Sequence, residues 1–181
     1  MATAEGRRVR LVALAEEDVD RLIRWRAEPE ARQHQPLSVL GREQLLQHIQ
    51  TRKAGTLAEL ADRDHILIIR DENQGLAVGW LTLEILSRVH GLARIGYTVS
   101  KEYWGRGYAT GAVQAVCSLL FGETVVERIE ADCSVHNPAS RRVLEKCGFS
   151  HVGLKRSFLI IQKQRVDHYN FELLKDDWEA R

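Results

Sequence analysis

The stretch Tyr103-Trp104-Gly105-Arg106-Gly107-Tyr108-Ala109-Thr110-Gly111-Ala112 decides the fold of this chain. It lies between a strand-like run, Leu92 to Val99, and a helix-like run that ends near Phe121. A glycine-rich turn that ends a strand and opens a helix exposes several backbone N–H groups, because the first four N–H groups of a helix have no internal partner. The helix dipole adds partial positive charge at the same place. The stretch therefore predicts an anion site, most often one for phosphate.

Two better-known phosphate-binding loops differ from this stretch. No Gly-Lys-Ser/Thr follows at the spacing that a Walker loop requires. The glycines at 105, 107 and 111 are spaced one residue too widely for a dinucleotide fingerprint, and no clean βαβ unit starts the chain. Taken alone, the loop leaves both a phosphate site and an ordinary strand–helix turn open.

A second segment, further along the chain, favours the phosphate site. It has a strand-like run that leads into Asn137-Pro138-Ala139-Ser140, and then a helical run that ends in Lys146-Cys147-Gly148-Phe149. Together the two segments resemble the GNAT superfamily of N-acetyltransferases. Its first hallmark, Gln/Arg-x-x-Gly-x-Gly/Ala, is matched at residues 104–109, and its second, Asn-x-x-Ser/Ala before a helix ending in Lys-x-Gly-Phe, is matched at residues 137–149.

Within that superfamily the chain looks most like the Rim-type branch, which acetylates the N-termini of ribosomal proteins. Ile95-Gly96-Tyr97 on the preceding strand and Tyr-Trp-Gly-x-Gly-Tyr-Ala-Thr in the loop carry this likeness, and the resemblance covers about residues 7 to 178. It implies one N-acetyltransferase domain over residues 1–181. It also implies an α/β (α+β) fold: a mixed, mostly antiparallel sheet of about seven strands flanked by helices, with a splayed strand pair that holds the CoA arm.

The resemblance implies that acetyl-CoA is the cosubstrate and that the loop holds its pyrophosphate. The pantetheine arm would lie between the strands Leu92–Val99 and Arg128–Val135 like an added strand, with a backbone N–H near Val99 polarising the thioester. The cofactor-binding residues that the motifs imply are Val99, Trp104, Gly105, Arg106, Gly107, Ala109, Thr110, Asn137 and Ser140. Asn137-Pro138 also suits a helix N-cap followed by the first helical position.

Two residues are expected to carry the catalysis. Ser140 would protonate the departing CoA thiolate, although its hydroxyl could instead cap the helix. The general base is harder to assign, because Arg94 stands where many relatives have a Glu. Glu84 is our first choice, and Asp132, His136, His168 or a water chain are the alternatives. If Arg94 faces the acceptor, it would select one that bears a carboxylate.

Composition excludes several other classes of protein. The formal net charge of +1 gives no argument for nucleic-acid binding, and no apolar run reaches the length of a membrane span. The first ten residues lack a signal-like apolar stretch, which predicts a cytoplasmic protein. The three cysteines are odd in number and lack the spacing of metal ligands, so we expect reduced core thiols. The seven histidines show no zinc pattern either, so we expect no metal site.

Hydrophobic periodicity places the secondary structure elements. We expect helices over Glu16–Ala27, Gly41–Lys53, 107–121 and Pro138–Lys146, and a loop between Pro29 and Pro36; residues 54–64 would extend the second helix or form a mobile segment. The expected strands are Arg8–Leu14, His65–Arg70, Leu76–Leu86, Leu92–Val99, Arg128–Val135, 151–161 and 166–174. Trp25 falls at core spacing, and the rest of Trp25–Leu40, with Asp167-His168-Tyr169, would shape the acceptor side.

These patterns together predict a cytoplasmic N-acetyltransferase. It would move acetyl from acetyl-CoA to a primary amine by direct attack in a ternary complex. The acceptor would be a protein N-terminal amine of the ribosomal-protein type or a small amine. A homodimer fits the branch, although nothing in the composition indicates one. Two alternatives remain at this point: a non-catalytic CoA-binding regulatory module, which Arg94 keeps open, and a nucleotide-binding α/β enzyme that reuses the glycine loop.

Overall fold

The computed structural model describes residues 6–51 and 65–181. Two short 3-10 turns, Glu16–Asp18 and Lys101–Tyr103, lead towards longer helices. The strands and α-helices, in chain order, are β1 (Val9–Ala13), α1 (Val19–Ala27), α2 (Pro29–Arg32), α3 (Arg42–Thr51), β2 (His65–Asp71), β3 (Ala77–Ser87), β4 (Leu92–Val99), α4 (Tyr108–Glu123), β5 (Arg128–Ser134), α5 (Pro138–Lys146), β6 (Ser150–Ile161), β7 (Gln164–Leu174) and α6 (Lys175–Glu179). No helix in these ranges is long and apolar enough to cross a membrane.

All seven strands join one sheet, in the order β1-β2-β3-β4-β5-β7-β6. Every neighbouring pair is antiparallel except β4 and β5, which are parallel. This parallel pair is short: it runs only from Leu92 opposite Arg128 to Arg94 opposite Glu130. Beyond Arg94 the two strands separate and leave a gap in the middle of the sheet. The expected mixed, mostly antiparallel sheet of seven strands with a splayed pair is confirmed.

Helices cover both faces of the sheet, because its central strands are apolar on both faces: successive side chains point to opposite faces, and every residue from Ala77 to Leu81 of β3 is buried. On one face, called here the α1 face, helices α1 and α3 pack on Ile68 and Trp80. Trp25 is buried there and stacks on Trp80 with ring centroids 6.3 Å apart, so its expected place in the core is confirmed. On the other face, called the α4 face, helices α4 and α5 pack on residues such as Ile95 and Ile129.

The structure corrects the sequence-based elements in a few places. The loop expected between Pro29 and Pro36 begins with the short helix α2, and α6 after the last strand was not expected. Both are four or five residues long, too short to show a helical period. Most other boundaries shift by one or two residues. The predictions for residues 54–64, and for the last two residues of the helix that was expected to end at Lys53, lie outside the described residues.

Candidate active site

The loop between β4 and α4 presents a row of bare main-chain donors. Gly105 and Gly107 take φ values of +73° and +81°, a left-handed backbone that glycine adopts without steric cost. Helix α4 closes its first hydrogen bond only at Gly111, whose N–H donates to the carbonyl of Gly107 at 3.0 Å. Among the described residues, the six consecutive N–H groups from Gly105 to Thr110 find no acceptor. This arrangement fits an anionic phosphate group.

The side chains of the loop play separate parts. Trp104 is half exposed, and its indole N–H donates to the carbonyl of Val99 at 2.7 Å, which ties the loop to the end of β4. The exposed guanidinium of Arg106 lies 5.8 Å from the ring centre of Tyr103 and is accessible to a phosphate. Thr110 is buried, which favours its main-chain N–H over its hydroxyl as a donor to the ligand. Its neighbour Ala109 is half-buried.

The start of α4 is fixed by the segment that precedes β1. A Cβ on Gly111 would lie 2.0 Å from the carbonyl oxygen of Arg7, so only glycine allows this close crossing. The Arg7 guanidinium and the Tyr108 hydroxyl both reach the buried carboxylate of Asp71, each at 2.8 Å. The N–H of Gln74 also donates to Asp71. These contacts, the Gln74 N–H above all, lower the pKa of Asp71 to about 2.

The open edge of β4 follows from its pairing with β3. The N–H of Ser100 donates to the carbonyl of Val78 at 3.0 Å, which makes these two residues a hydrogen-bonded pair. Such pairs alternate along antiparallel strands, so the main-chain groups of Tyr97 and Val99 point away from β3. They face the side of β4 on which β5 lies, but β5 has separated from β4 beyond Arg94. The N–H groups of Tyr97 and Val99 therefore point into the gap, as the pantetheine-binding expectation requires.

The side chain of Gln35 lies against the same stretch of β4. Its amide donates to the Thr98 hydroxyl at 2.9 Å and to the Tyr97 carbonyl at 3.4 Å. Arg32 and Arg26 brace the segment beside it by donating to the carbonyls at 37 and 38. The loop after α2 thus forms one wall of the gap on the α1 face.

The N-terminus of α5 carries the second motif. The side-chain oxygen of Asn137 accepts the N–H of Ser140 at 3.0 Å, and Pro138 is the first helical residue, so the expected N-cap is confirmed. The Ser140 hydroxyl does not cap the helix. It lies 3.0 Å from the Tyr97 hydroxyl, which also donates to the Ser140 carbonyl at 3.1 Å. Burial raises the pKa of Tyr97 well above its usual range, and the hydrogen bond to Ser140 opposes that rise.

A cluster of charged side chains lies across the gap on the α1 face. Arg94 approaches Glu84 at 3.3 Å, Glu130 at 3.7 Å and Asp132 at 3.9 Å. Lys155 from β6 contacts Asp132 at 2.8 Å. Arg128 contacts Glu130 at 3.2 Å, closer than Arg94 does, and also pairs with Glu172. These seven residues, named here the ionic cluster, hold four carboxylates and three cations, a formal net charge of −1. Arg94 is therefore already compensated by carboxylates of its own protein.

A cavity of about 370 Å³ connects these parts through the gap. On the α1 face it is lined by Glu84, Arg94, Asp132 and by residues of the loop after α2. Towards the α4 face it reaches Tyr97, Cys133, Asn137 and Ser140. The two residues expected to be catalytic, Glu84 and Ser140, both line this cavity, from opposite faces of the sheet. Of the alternative bases, Asp132 and His168 line it as well, and His136 does not.

The cysteines are free and buried, as expected of core thiols. Cys133 lines the cavity, but burial raises its pKa to about 11, so it is a neutral thiol near pH 7 and a poor nucleophile. Within the described residues, no group of three or more metal-ligating side chains comes together.

Sequence reasoning missed two contributors to this site. One is the Tyr97 hydroxyl, which contacts Ser140, a residue 43 positions away. The other is Lys155, which contacts Asp132 from β6, a strand that no local pattern connects with β5. Gln35 belongs to the stretch 25–40 that was expected on the acceptor side, and it lines the cavity.

The bare helix N-terminus and the parted pair of strands are the two features that the sequence resemblance implied for an acetyl-CoA site. The chain belongs to the acetyltransferase (GNAT) domain family, which it matches over residues 8–150. It is accordingly an acetyl-CoA-dependent N-acetyltransferase, and the family assignment decides against a nucleotide-binding enzyme and a non-catalytic module.

Two curated relatives and one solved structure illustrate the relationship. An uncharacterized N-acetyltransferase p20 of Bacillus licheniformis is 27% identical over 98% of this chain and 99% of its own length. A putative ribosomal N-acetyltransferase, YdaF of Bacillus subtilis, is 33% identical over 59% of this chain and 58% of its own length. The spermidine N-acetyltransferase of Vibrio cholerae, solved with CoA and spermine, superposes with a TM-score of 0.81 at 17% identity, covering 95% and 98% of the two chains. The expected GNAT resemblance, with Rim-type relatives, is confirmed.

Proposed function

We propose that this enzyme acetylates a single primary amine carried by a protein N-terminus. The observation that supports this is the charge balance of the ionic cluster. The charges of three of its four carboxylates are matched by Arg94, Arg128 and Lys155, which leaves a net charge suited to one ammonium group. A polyamine such as spermidine carries several positive charges and would need more uncompensated carboxylates. A relative named as a putative ribosomal N-acetyltransferase supports the same acceptor class.

Acetyl-CoA would be held mainly by main-chain groups. The free N–H groups from Gly105 to Thr110 would bind the pyrophosphate, with Arg106 adding charge. The N–H groups of Tyr97 and Val99 face the gap, where they would bond to the pantetheine arm and to the thioester oxygen. Asn137 and Trp104 would complete the site as positioning residues, since each already fixes the backbone on one side of the gap.

The transfer would be direct. The neutral, buried Cys133 is unsuited to form an acyl-enzyme, so the amine attacks the thioester carbon from the α1 face. The C–S bond breaks, its electron pair returns to sulfur, and the departing thiolate accepts a hydrogen bond from the Ser140 hydroxyl and takes its proton from solvent. Tyr97 would orient that hydroxyl, because its own hydroxyl lies within hydrogen-bond reach of both the Ser140 hydroxyl and the Ser140 carbonyl. A cytoplasmic location and a homodimer stay predictions.

A comparison of acceptors tests the proposal. Three are needed: a peptide with a free N-terminus, the same peptide with its N-terminus blocked, and spermidine. We expect turnover of the free peptide, none of the blocked one, and a kcat/KM for spermidine at least about tenfold lower. A higher kcat/KM for spermidine would contradict the protein acceptor and point to a small polyamine. The matched control is the Gly107→Glu variant, which should turn over none of the three.

A further inference from the structure

His168 lies on β7 at the place where the sheet opens. It is directly opposite Ser134 of β5, beyond the last contact between β5 and β4. Its side chain lies on the α1 face, like that of Asn170 two residues later, which donates to Asp132 at 3.0 Å. The residue is only 3% exposed, yet it lines the cavity. It is therefore a buried imidazole on the side from which the acceptor amine arrives.

The orientation of the ring leaves one nitrogen available. The Nδ1 atom of His168 lies 3.1 Å from the Val166 carbonyl oxygen. A carbonyl only accepts, so Nδ1 carries the hydrogen, and in the neutral ring the lone pair is on Nε2. None of the described residues forms a hydrogen bond with Nε2. On the basis of the acetyl transfer proposed above, we propose that Nε2 of His168 is the general base that accepts the proton of the acceptor amine.

The other candidate bases are less suited by their contacts. Glu84 and Asp132 are engaged by Arg94 and Lys155, and these cations compete with an incoming ammonium for the carboxylate oxygens. His136 is exposed and does not line the cavity. His34 lines the cavity from the loop after α2, but no hydrogen bond to a described residue orients its ring. Only His168 has both a place in the cavity and a fixed tautomer.

The proton balance of the step is simple. The amine nitrogen forms a bond to the thioester carbon, and its excess proton passes to Nε2 directly or through one water. The thiolate accepts a hydrogen bond from Ser140 on the other face and takes its proton from solvent. The groups that face His168 are Ser134 and Asp132 from β5, Lys155 and Phe158 from β6, Glu84 and Arg94 across the gap, and His34. Any pH dependence of the base reflects these neighbours as well.

The test compares His168→Gln with the wild-type enzyme. For an acceptor amine that is protonated at neutral pH, kcat/KM should fall about 100-fold, and the acidic limb of its pH profile should disappear. The affinity for acetyl-CoA should stay within about twofold, which shows that the variant is folded. For an acceptor amine that is already deprotonated at the assay pH, kcat/KM should fall much less. If His168 had a purely structural role, kcat/KM would fall equally for both acceptors, and that result would overturn the proposal.

Three further measurements make the result decisive. His90→Gln, a matched change at an exposed turn, should leave kcat/KM unaltered. In the wild-type enzyme the acidic limb of the kcat/KM pH profile should move with temperature, as imidazole ionisation does. A limb that stays in place belongs to a carboxylate and would overturn the proposal.

Loss of the acidic limb in His34→Gln or Glu84→Gln instead of His168→Gln would also overturn the proposal. If spermidine proves to be the better acceptor, the protein-acceptor function fails, and the base is tested with spermidine.

Discussion

The two sides of the gap are built from different parts of the chain. The loop from Gly105 to Thr110 offers main-chain N–H groups and little else. The ionic cluster on the α1 face consists of side chains that already satisfy one another. A main-chain site depends on backbone shape and on the absence of side chains, whereas a side-chain site depends on which partners the fold brings together. Substitutions on the cosubstrate side should therefore act by adding a side chain, and those on the acceptor side by removing a partner.

The largest effect is expected from a side chain placed in the bare loop. In Gly107→Glu, a residue with a Cβ must adopt φ of +81°, and a carboxylate occupies the anion site. Acetyl-CoA affinity should fall at least about 100-fold, or about 2.7 kcal/mol, in isothermal calorimetry. Gly122→Glu is the matched control, because a Cβ at Gly122 meets nothing within 4 Å. Equal affinity in both variants would mean that the loop does not bind the phosphates.

Removing the Ser140 hydroxyl should cost less, because the change leaves the main-chain site intact. Ser140→Ala should lower kcat about tenfold to 100-fold and leave acetyl-CoA affinity nearly unchanged. Tyr97→Phe should give a smaller loss of kcat, because Ser140 keeps its hydroxyl. The exposed serine on α4, Ser118→Ala, serves as the control. A parallel fall in affinity and kcat would instead indicate that the hydroxyls only shape the gap.

Acid should weaken the loop through Asp71, which connects α4 to the sheet. Because its pKa is lowered from 3.8 to about 2, the folded state resists protonation more than the unfolded chain does. The stability that Asp71 contributes is complete above about pH 4 and is lost as the pH falls towards 2. We therefore expect Tm, measured by thermal unfolding between pH 5 and pH 2, to fall more steeply with decreasing pH in the wild type than in Asp71→Asn. Identical slopes would mean that other carboxylates dominate acid unfolding.

The smallest effect is expected at the centre of the ionic cluster. Arg94→Ala should leave acetyl-CoA affinity unchanged but raise kcat/KM for spermidine relative to a peptide about fivefold at low salt, because the cluster becomes more negative. Arg10→Ala, on the edge strand β1, is the control. The competing hypothesis, in which Arg94 selects a carboxylate-bearing acceptor, predicts a specific loss for acidic peptides. An acceptor profile that does not change would exclude both effects.

The difference between the main-chain loop and the side-chain cluster also explains what could be predicted from sequence. The glycine loop and the Asn137 cap were recognised because all their parts lie within a few residues of one another, and the family resemblance supplied the sheet. Contacts such as Tyr97 with Ser140 and Arg94 with Asp132 join residues about forty positions apart, and no local pattern specifies them. Glu84 lines the cavity, but its ion pair with Arg94 depends on the register of β3 and β4, which sequence alone does not give.

The crossing of the early chain over α4 gives the enzyme an internal reporter. The amide of Arg7 donates to the carbonyl of Gly107, within the loop that would hold the pyrophosphate, at 3.3 Å. Exchange of that one amide hydrogen with deuterated solvent requires the crossing to open. Its rate therefore measures how often the loop loosens, and its slowing on addition of acetyl-CoA would report occupancy without any label or substrate turnover.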